Sequence, residues 1–188
     1  MSNDKIREDH ELVSRFQNGE EGCFDELVKK YQSKIYSLAY RMVHNPEDAM
    51  DLAQDTFVRA YNGLPKFKKR SAFYTWLYQI CVNLCINFSK KSGRQRTISF
   101  EKMDEVMLMK IPTRNTPETD LQQKQLQVAL RTAINKLPGQ QRAVFLLRQY
   151  QGLKNNEIAK VVGCSIGAVK SHYFHAIRKL RDLLQEWV

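Results

Sequence analysis

The chain reads as all-α: two helical domains joined by a flexible linker, the second containing a helix-turn-helix. Three observations predict this. Apolar residues recur at three-and-four spacing almost throughout, and alternating strand-like runs are missing. Only eight glycines and five prolines punctuate the 188 residues. The periodicity fails once, between Ser92 and Pro117, leaving on either side a stretch long enough for a modest core.

The elements follow in order. A short helix from Asp9 to Gln17 ends at Asn18 and Gly19. A long helix runs from Glu21 to Val43, its core face set by Phe24, Leu27, Val28, Tyr31, Ile35, Leu38 and Met42. Asn45 then caps a third helix, with Pro46 at its first position and Glu47 and Asp48 in its first turn, where the helix dipole favours acids. That helix is expected to bury Met50, Ala53, Phe57, Val58 and Tyr61 and to stop near Gly63 and Leu64. Ser71 is expected to cap the fourth helix, which runs to Lys91. Residues 92–117 hold Pro112, Pro117, Arg94 and Arg96, with an apolar run of Met103, Val106, Met107, Leu108, Met109 and Ile111, and read as a linker that can dock. The second domain begins with a helix from Glu118 to Lys136, breaks at Leu137, Pro138 and Gly139, and resumes from Gln140 to Tyr150.

The last segment carries its own pattern. Glu157, Ile158, Ala159, Val161 and Val162 form a short helix. Gly163 supplies the turn, and Ser165 caps a second helix running to about Glu186. This is a helix-turn-helix, with an ordinary helical hairpin as the plain alternative. On its second helix Val169, Tyr173, Ala176 and Leu180 face inward. Gly167, Lys170, Ser171, Phe174 and Arg178 share the outward side, a mixture suited to phosphates, base edges and a thymine methyl. Arg148, on the preceding helix, is placed to lean on the same groove.

Charge is segregated. Residues 1–60 carry 8 Lys/Arg against 12 Asp/Glu, whereas residues 61–118 and 119–188 each carry 11 against 4. An acidic front and a basic rear point to a basic partner for the first and a polyanion for the second. Cys23, Cys81, Cys85 and Cys164 lack the close pairs of a zinc ribbon and read as reduced thiols of a cytosolic protein. Cys81 with Cys85, or His172 with His175, has helical spacing for a metal but no third or fourth ligand in evident reach, so no metal or other cofactor is expected. No apolar run approaches membrane-spanning length, so no membrane insertion is expected.

The fourth helix makes two demands. Leu77, Ile80, Cys81, Leu84 and Phe88 fit a buried face, while Phe73, Tyr74, Trp76 and Tyr78 add more aromatic mass than one stripe hides. Some rings are therefore expected to face outward. Before them lies a basic loop, Lys66, Phe67, Lys68, Lys69 and Arg70, and after them Lys90 and Lys91. Rings framed by cations suit single-stranded nucleic acid; an over-rich core helix with solvated flanks is the plainer reading.

Taken together, the sequence resembles the extracytoplasmic-function (ECF) sigma factors of bacterial RNA polymerase. The resemblance rests on Asp51, Leu52, Ala53, Gln54, Asp55 and Phe57, and on the run from Ser71 to Ile80. It continues through Lys136, Leu137, Pro138 and Arg142, and through Gly152, Glu157, Ile158, Ala159, Gly163, Ser165, Gly167, Val169, Lys170 and Ser171. It implies a polymerase-binding and minus-10 domain over 1–91, a linker over 92–117 and a minus-35 domain over 118–188. It also implies that Asp51, Gln54 and Asp55 bind the clamp coiled coil of core RNA polymerase, with the flap as a second contact, and that the factor has no catalysis of its own. The loop Leu64 to Arg70, with Phe73, Tyr74, Trp76, Gln79, Asn83 and Asn87, would open the minus-10 element and hold an extruded base. Arg148, Ser165, Gly167, Lys170, Ser171, Phe174, His175 and Arg178 would read promoter DNA at minus-35. Relatives commonly have an anti-sigma factor. The chain departs from the family at His172, His175 and Ile177, where Arg is usual, and around Lys154 and Asn155, where a capping Ser is usual; fewer fixed cations imply a weaker phosphate grip.

Two other readings compete. An autonomous helix-turn-helix regulator with an N-terminal sensor or dimerisation domain would occupy its operator alone. A redox- or metal-responsive switch would act through the cysteines.

Overall fold

The computed structural model describes residues 3–91 and 117–187, and every regular element among them is helical. The first unit holds α1 (Asn3–Gln17), α2 (Gly22–Val43), α3 (Pro46–Gly63) and α4 (Phe73–Lys91); the second holds α5 (Pro117–Asn135), α6 (Gly139–Gln149), α7 (Asn155–Val162) and α8 (Ile166–Leu183). Short 3-10 turns follow α3 at Leu64–Lys66 and α8 at Gln185–Trp187. The expected linker docking through Met103 to Ile111 lies outside the described residues.

The centre of the first unit is α2. Leu27, Tyr31, Ile35, Leu38 and Met42 are buried at helical spacing, and each aliphatic side chain so removed from water contributes about 1.5–3 kcal/mol. Its end is set by His44, which takes the left-handed conformation at φ 59° and donates its backbone N–H to Tyr40 O at 2.7 Å. Asn45 caps α3 as the spacing predicts, its side chain accepting from the Asp48 N–H at 2.9 Å. The first helix extends further than expected, starting at Asn3, and within it Asp9 is fully buried. It accepts from the Tyr31 hydroxyl and from the Lys30 ammonium.

Three expectations are corrected. The buried stripe of α3 is Ala49, Leu52, Ala53, Thr56 and Ala60, while Met50, Val58 and Tyr61 are exposed at 50%, 58% and 39% and Phe57 is half-buried. Small residues let α3 approach α2 and α4 closely, so the larger apolar side chains lie outside. Ser71 does not cap α4, which begins at Phe73; the Ala72 carbonyl accepts its first backbone bond, from the Thr75 N–H. Within α4, Leu77 and Cys81 are buried, but Ile80, Leu84 and Phe88 are half-buried.

The second unit forms the expected helix-turn-helix. Gly163 adopts φ 71° and donates its N–H to Ala159 O at 2.9 Å, a conformation that costs any residue with a Cβ. The Ser165 hydroxyl accepts from the Ala168 N–H at 3.1 Å, and Val169, Ala176 and Leu180 are buried beneath α8. At the start of α7, where a capping hydroxyl is absent, Glu157 reaches back to accept the Lys154 N–H at 2.7 Å.

The two units pack on each other. α7 lies along α4, and α6 touches both α2 and α4. Tyr74 donates its hydroxyl to Glu157, and Tyr78 donates to Gln151 at 2.8 Å. The Arg142 guanidinium donates to Met42 O at 2.6 Å, and Arg41 sits over the Tyr150 ring at 3.9 Å.

Candidate nucleic-acid interfaces

The outward side of α8 is open. Gly167, Lys170, Ser171, Phe174, His175 and Arg178 are all exposed, and Phe174 reaches 63%. Among the described residues its ring neighbour is His175, whose ring centroid is 5.6 Å away. Ser165 is exposed too, although its oxygen already serves the helix cap. Arg148 lies over the Tyr173 ring at 4.4 Å and donates to Asn155 Oδ1 at 3.1 Å, which holds its guanidinium between the start of α7 and the middle of α8. Tyr173 is half-buried, stacked on Phe145 at 6.5 Å.

The expectation of outward rings on α4 is corrected. Phe73, Tyr74 and Tyr78 are buried, and Trp76 and Phe67 are half-buried. The reason is that α4 has partners on two sides, α2 and α3 on one and α7 on the other, so it hides more than one stripe. Phe73 packs on Tyr31 at 5.6 Å, and Trp76 stacks on Phe67 at 4.8 Å. Gly63 permits this. A Cβ there would meet the Trp76 ring at 3.0 Å, so the glycine that reads as a helix stop also makes room for the indole. Gln79 is half-buried, while Asn83 and Asn87 are exposed one turn apart on α4.

Of the loop cations, Lys66, Lys68 and Arg70 are exposed. Lys69 differs: it holds φ 53° and donates its ammonium to Ser14 on α1. The loop has two further ties that sequence reasoning missed. Gln17 donates to both Leu64 O at 2.9 Å and Phe67 O at 3.0 Å, and His10 Nε2 lies 3.3 Å from Ser71 O. The only sequence signal was three polar residues, His10, Ser14 and Gln17, sharing one face of an amphipathic helix.

Electrostatics mark the joint between the units. Burial first, then the bond to Glu157, pushes the Tyr74 phenol up to about 12, and burial likewise raises Tyr78. His44 is pushed down to about 4 by burial and by Arg142, Arg131 and Arg41. Cys85 is held protonated by its bond with Cys81 and by burial. Asp51, Gln54 and Asp55 are exposed on α3, alongside Met50 and Val58. Among the described residues no three His, Cys, Asp or Glu side chains converge as a metal site would require, and no helix is long and apolar enough to cross a membrane.

These features define a class, a two-unit helical factor whose second unit is a helix-turn-helix with an open outer face. Comparison with known proteins gives the family. Residues 27–95 match Sigma-70 region 2, and residues 127–180 match Sigma-70, region 4. The chain is 35% identical over 182 residues to the RNA polymerase sigma-H factor of Pseudomonas aeruginosa, covering 95% of this chain and 94% of that protein. It is 32% identical to the ECF RNA polymerase sigma-E factor of Haemophilus influenzae, covering 94% of this chain and 95% of the relative. It is 35% identical to that of Escherichia coli, covering 94% of each. The fold is similar to CnrH in complex with the cytosolic domain of CnrY, at TM-score 0.69 and 23% identity over 96% of this chain and 99% of that one. It is similar also to RpoE in complex with the anti-sigma factor NepR from Bartonella quintana, at TM-score 0.62 and 23% identity over 86% of this chain and 96% of that one. The chain belongs to the ECF sigma factors of the sigma-70 family. It is a transcription initiation factor that binds core RNA polymerase and directs it to promoters, and the reading as an autonomous regulator is set aside.

Proposed function

We propose that residues 1–91 dock on polymerase and take up the minus-10 element, that residues 92–117 link, and that residues 118–188 read the minus-35 duplex. The observation that carries this is the open row on α8, where cations and a hydroxyl flank a phenylalanine that is 63% exposed among the described residues. In a major groove, Lys170 and Arg178 would meet phosphates or guanine edges, and Phe174 a thymine methyl. Ser165, Gly167, Ser171 and His175 would flank them, with Arg148 reaching the backbone.

At minus-10, Lys66, Lys68 and Arg70 would pair with phosphates of the extruded strand, with Asn83 and Asn87 as exposed hydrogen-bonding groups. Half-buried Phe67 and Trp76 would form the edge on which a base stacks, worth about 1–3 kcal/mol per base. Phe73 packs against both rings from below, and Tyr74 would join the site once its hydroxyl leaves Glu157. Lys69 and Gln79 are secondary contacts, the first because its ammonium is already engaged. On α3, Asp51, Gln54 and Asp55 together with Met50 and Val58 form a mixed acidic and apolar face for a basic coiled coil of the polymerase clamp. The four free thiols, three of them buried, support a cytoplasmic setting. An anti-sigma factor is a further expected partner.

Purified core polymerase with this chain, on a library of promoters, is expected to yield transcripts that depend on both elements. Phe174→Ala should lose minus-35 dependence, and Lys68→Ala should slow opening; transcription indifferent to both substitutions would overturn these assignments.

A further inference from the structure

The polar ties between α1 and the loop before α4 point to a role for the first helix. His10, Ser14 and Gln17 share one face of α1, and the loop runs antiparallel along that face. Gln17 bonds Leu64 O and Phe67 O, Ser14 accepts from Lys69, and His10 Nε2 lies against Ser71 O. The Gln17 amide uses both of its donors on carbonyls of one loop. Its orientation is therefore fixed, since the flipped amide would set its oxygen against two carbonyl oxygens. The Ser14 hydroxyl donates to His10 O at 2.7 Å, which leaves its lone pairs to accept the Lys69 ammonium.

Lys69 is a lysine with φ 53°, a backbone conformation that persists only where its surroundings impose it. Gln17 is exposed, so its bonds are not forced by burial. Leu64 O also accepts the Phe67 N–H at 3.1 Å, so the Gln17 amide closes onto the turn that delivers Phe67 to the Trp76 ring.

We infer that Gln17 is a positioning residue for promoter opening: through the Leu64 and Phe67 carbonyls it holds the loop, and with it the Phe67–Trp76 edge, in the shape that receives the non-template strand. This rests on the minus-10 assignment proposed above. The role belongs to α1, which touches no promoter element in that assignment.

The test uses the full chain assembled with core polymerase, a single-stranded minus-10 oligonucleotide and, separately, a minus-35 duplex. Gln17→Ala removes both donors without touching the core. It is expected to weaken single-strand binding about tenfold, to leave duplex binding and thermal unfolding unchanged, and to speed amide exchange across 64–70. Gln17→Arg, which restores donors, is expected to recover most of the loss. Faster loop exchange with unchanged single-strand affinity would overturn the inference, as would an equal loss on the duplex. Lys68→Ala is the control that separates the two claims. If it weakens single-strand binding and Gln17→Ala does not, the positioning role alone falls; if neither does, the minus-10 assignment falls and takes the positioning role with it.

Discussion

Asp9 and His44 show what single residues do in this fold. Asp9 is a fully buried carboxylate served by the Lys30 ammonium at 2.7 Å and the Tyr31 hydroxyl, and it joins α1 to α2. Asp9→Ala would strand both partners, and because Lys30 keeps some contact with water the cost should lie near the low end for a broken buried pair, roughly 3 kcal/mol in urea denaturation. His44 sits at the joint between the units, faced by Arg41, Arg131 and Arg142, with Tyr40 and Tyr150 close by. Its folded value of about 4 lies below the ordinary 6.5, so between those limits the unfolded chain binds a proton that the folded chain refuses. Stability is therefore whole above pH 6.5 and falls as pH drops towards 4. Between pH 7 and 5 the loss from this group should be roughly 2 kcal/mol. His44→Asn, which tolerates the left-handed backbone, should flatten that part of the slope. An unchanged slope would assign the pH dependence elsewhere.

At the scale of elements, α3 and α4 are the instructive pair. The caps, the length and the stop of α3 were legible, because Asn45, Pro46 and Gly63 act on their nearest neighbours. Its buried face was not. Met50, Val58 and Tyr61 look like core by size, but close packing selects the alanines and leaves the larger residues outside. This yields a separation of stability from function. Met50→Gln with Val58→Gln should leave the unfolding midpoint nearly unchanged, within about 0.5 kcal/mol, while weakening core polymerase binding roughly tenfold in a direct titration. A large drop in stability would return those residues to the core. On α4 the surplus of rings was legible and its destination was not. A second packing partner, α7 with the segment before it, absorbs Tyr74 and Tyr78, and a loop residue, Phe67, covers Trp76. Gly63→Ala should accordingly displace the indole and shift its fluorescence, since the new methyl would sit 3.0 Å from the ring.

For the whole molecule the decisive feature is that the two units touch. Elements centred near minus-35 and minus-10 lie roughly 25 base pairs apart, about 85 Å of duplex at 3.4 Å per base pair. On the domain assignment proposed above, a chain with Tyr78 bonded to Gln151 across the joint could not reach both at once, and the units would have to part on the promoter. The joint is polar at its rim and lies beside the Arg41, His44, Arg131 and Arg142 group, a construction suited to separation. Tyr78→Phe with Gln151→Ala should loosen it. By small-angle scattering the free chain is expected to show a radius of gyration near 16 Å, the value for a compact chain of this length, and the double variant a value several ångströms larger. Equal radii would mean that apolar packing between α4 and α7 suffices to hold the units together.

By itself the sequence determined the helical class, the order of the elements, the caps at Asn45, Ser165 and Gly163, the open row on α8 and the family. All of these are set by spacing within a few turns or by agreement of short motifs in order. Only the tertiary structure decided which face of α3 is buried, where the rings of α4 go, how α1 grips the loop and that the units close on each other. Those outcomes depend on which surfaces meet across long separations, such as Gln17 with Leu64 or Tyr78 with Gln151. A periodic pattern shows that a face must be covered; it does not say by what.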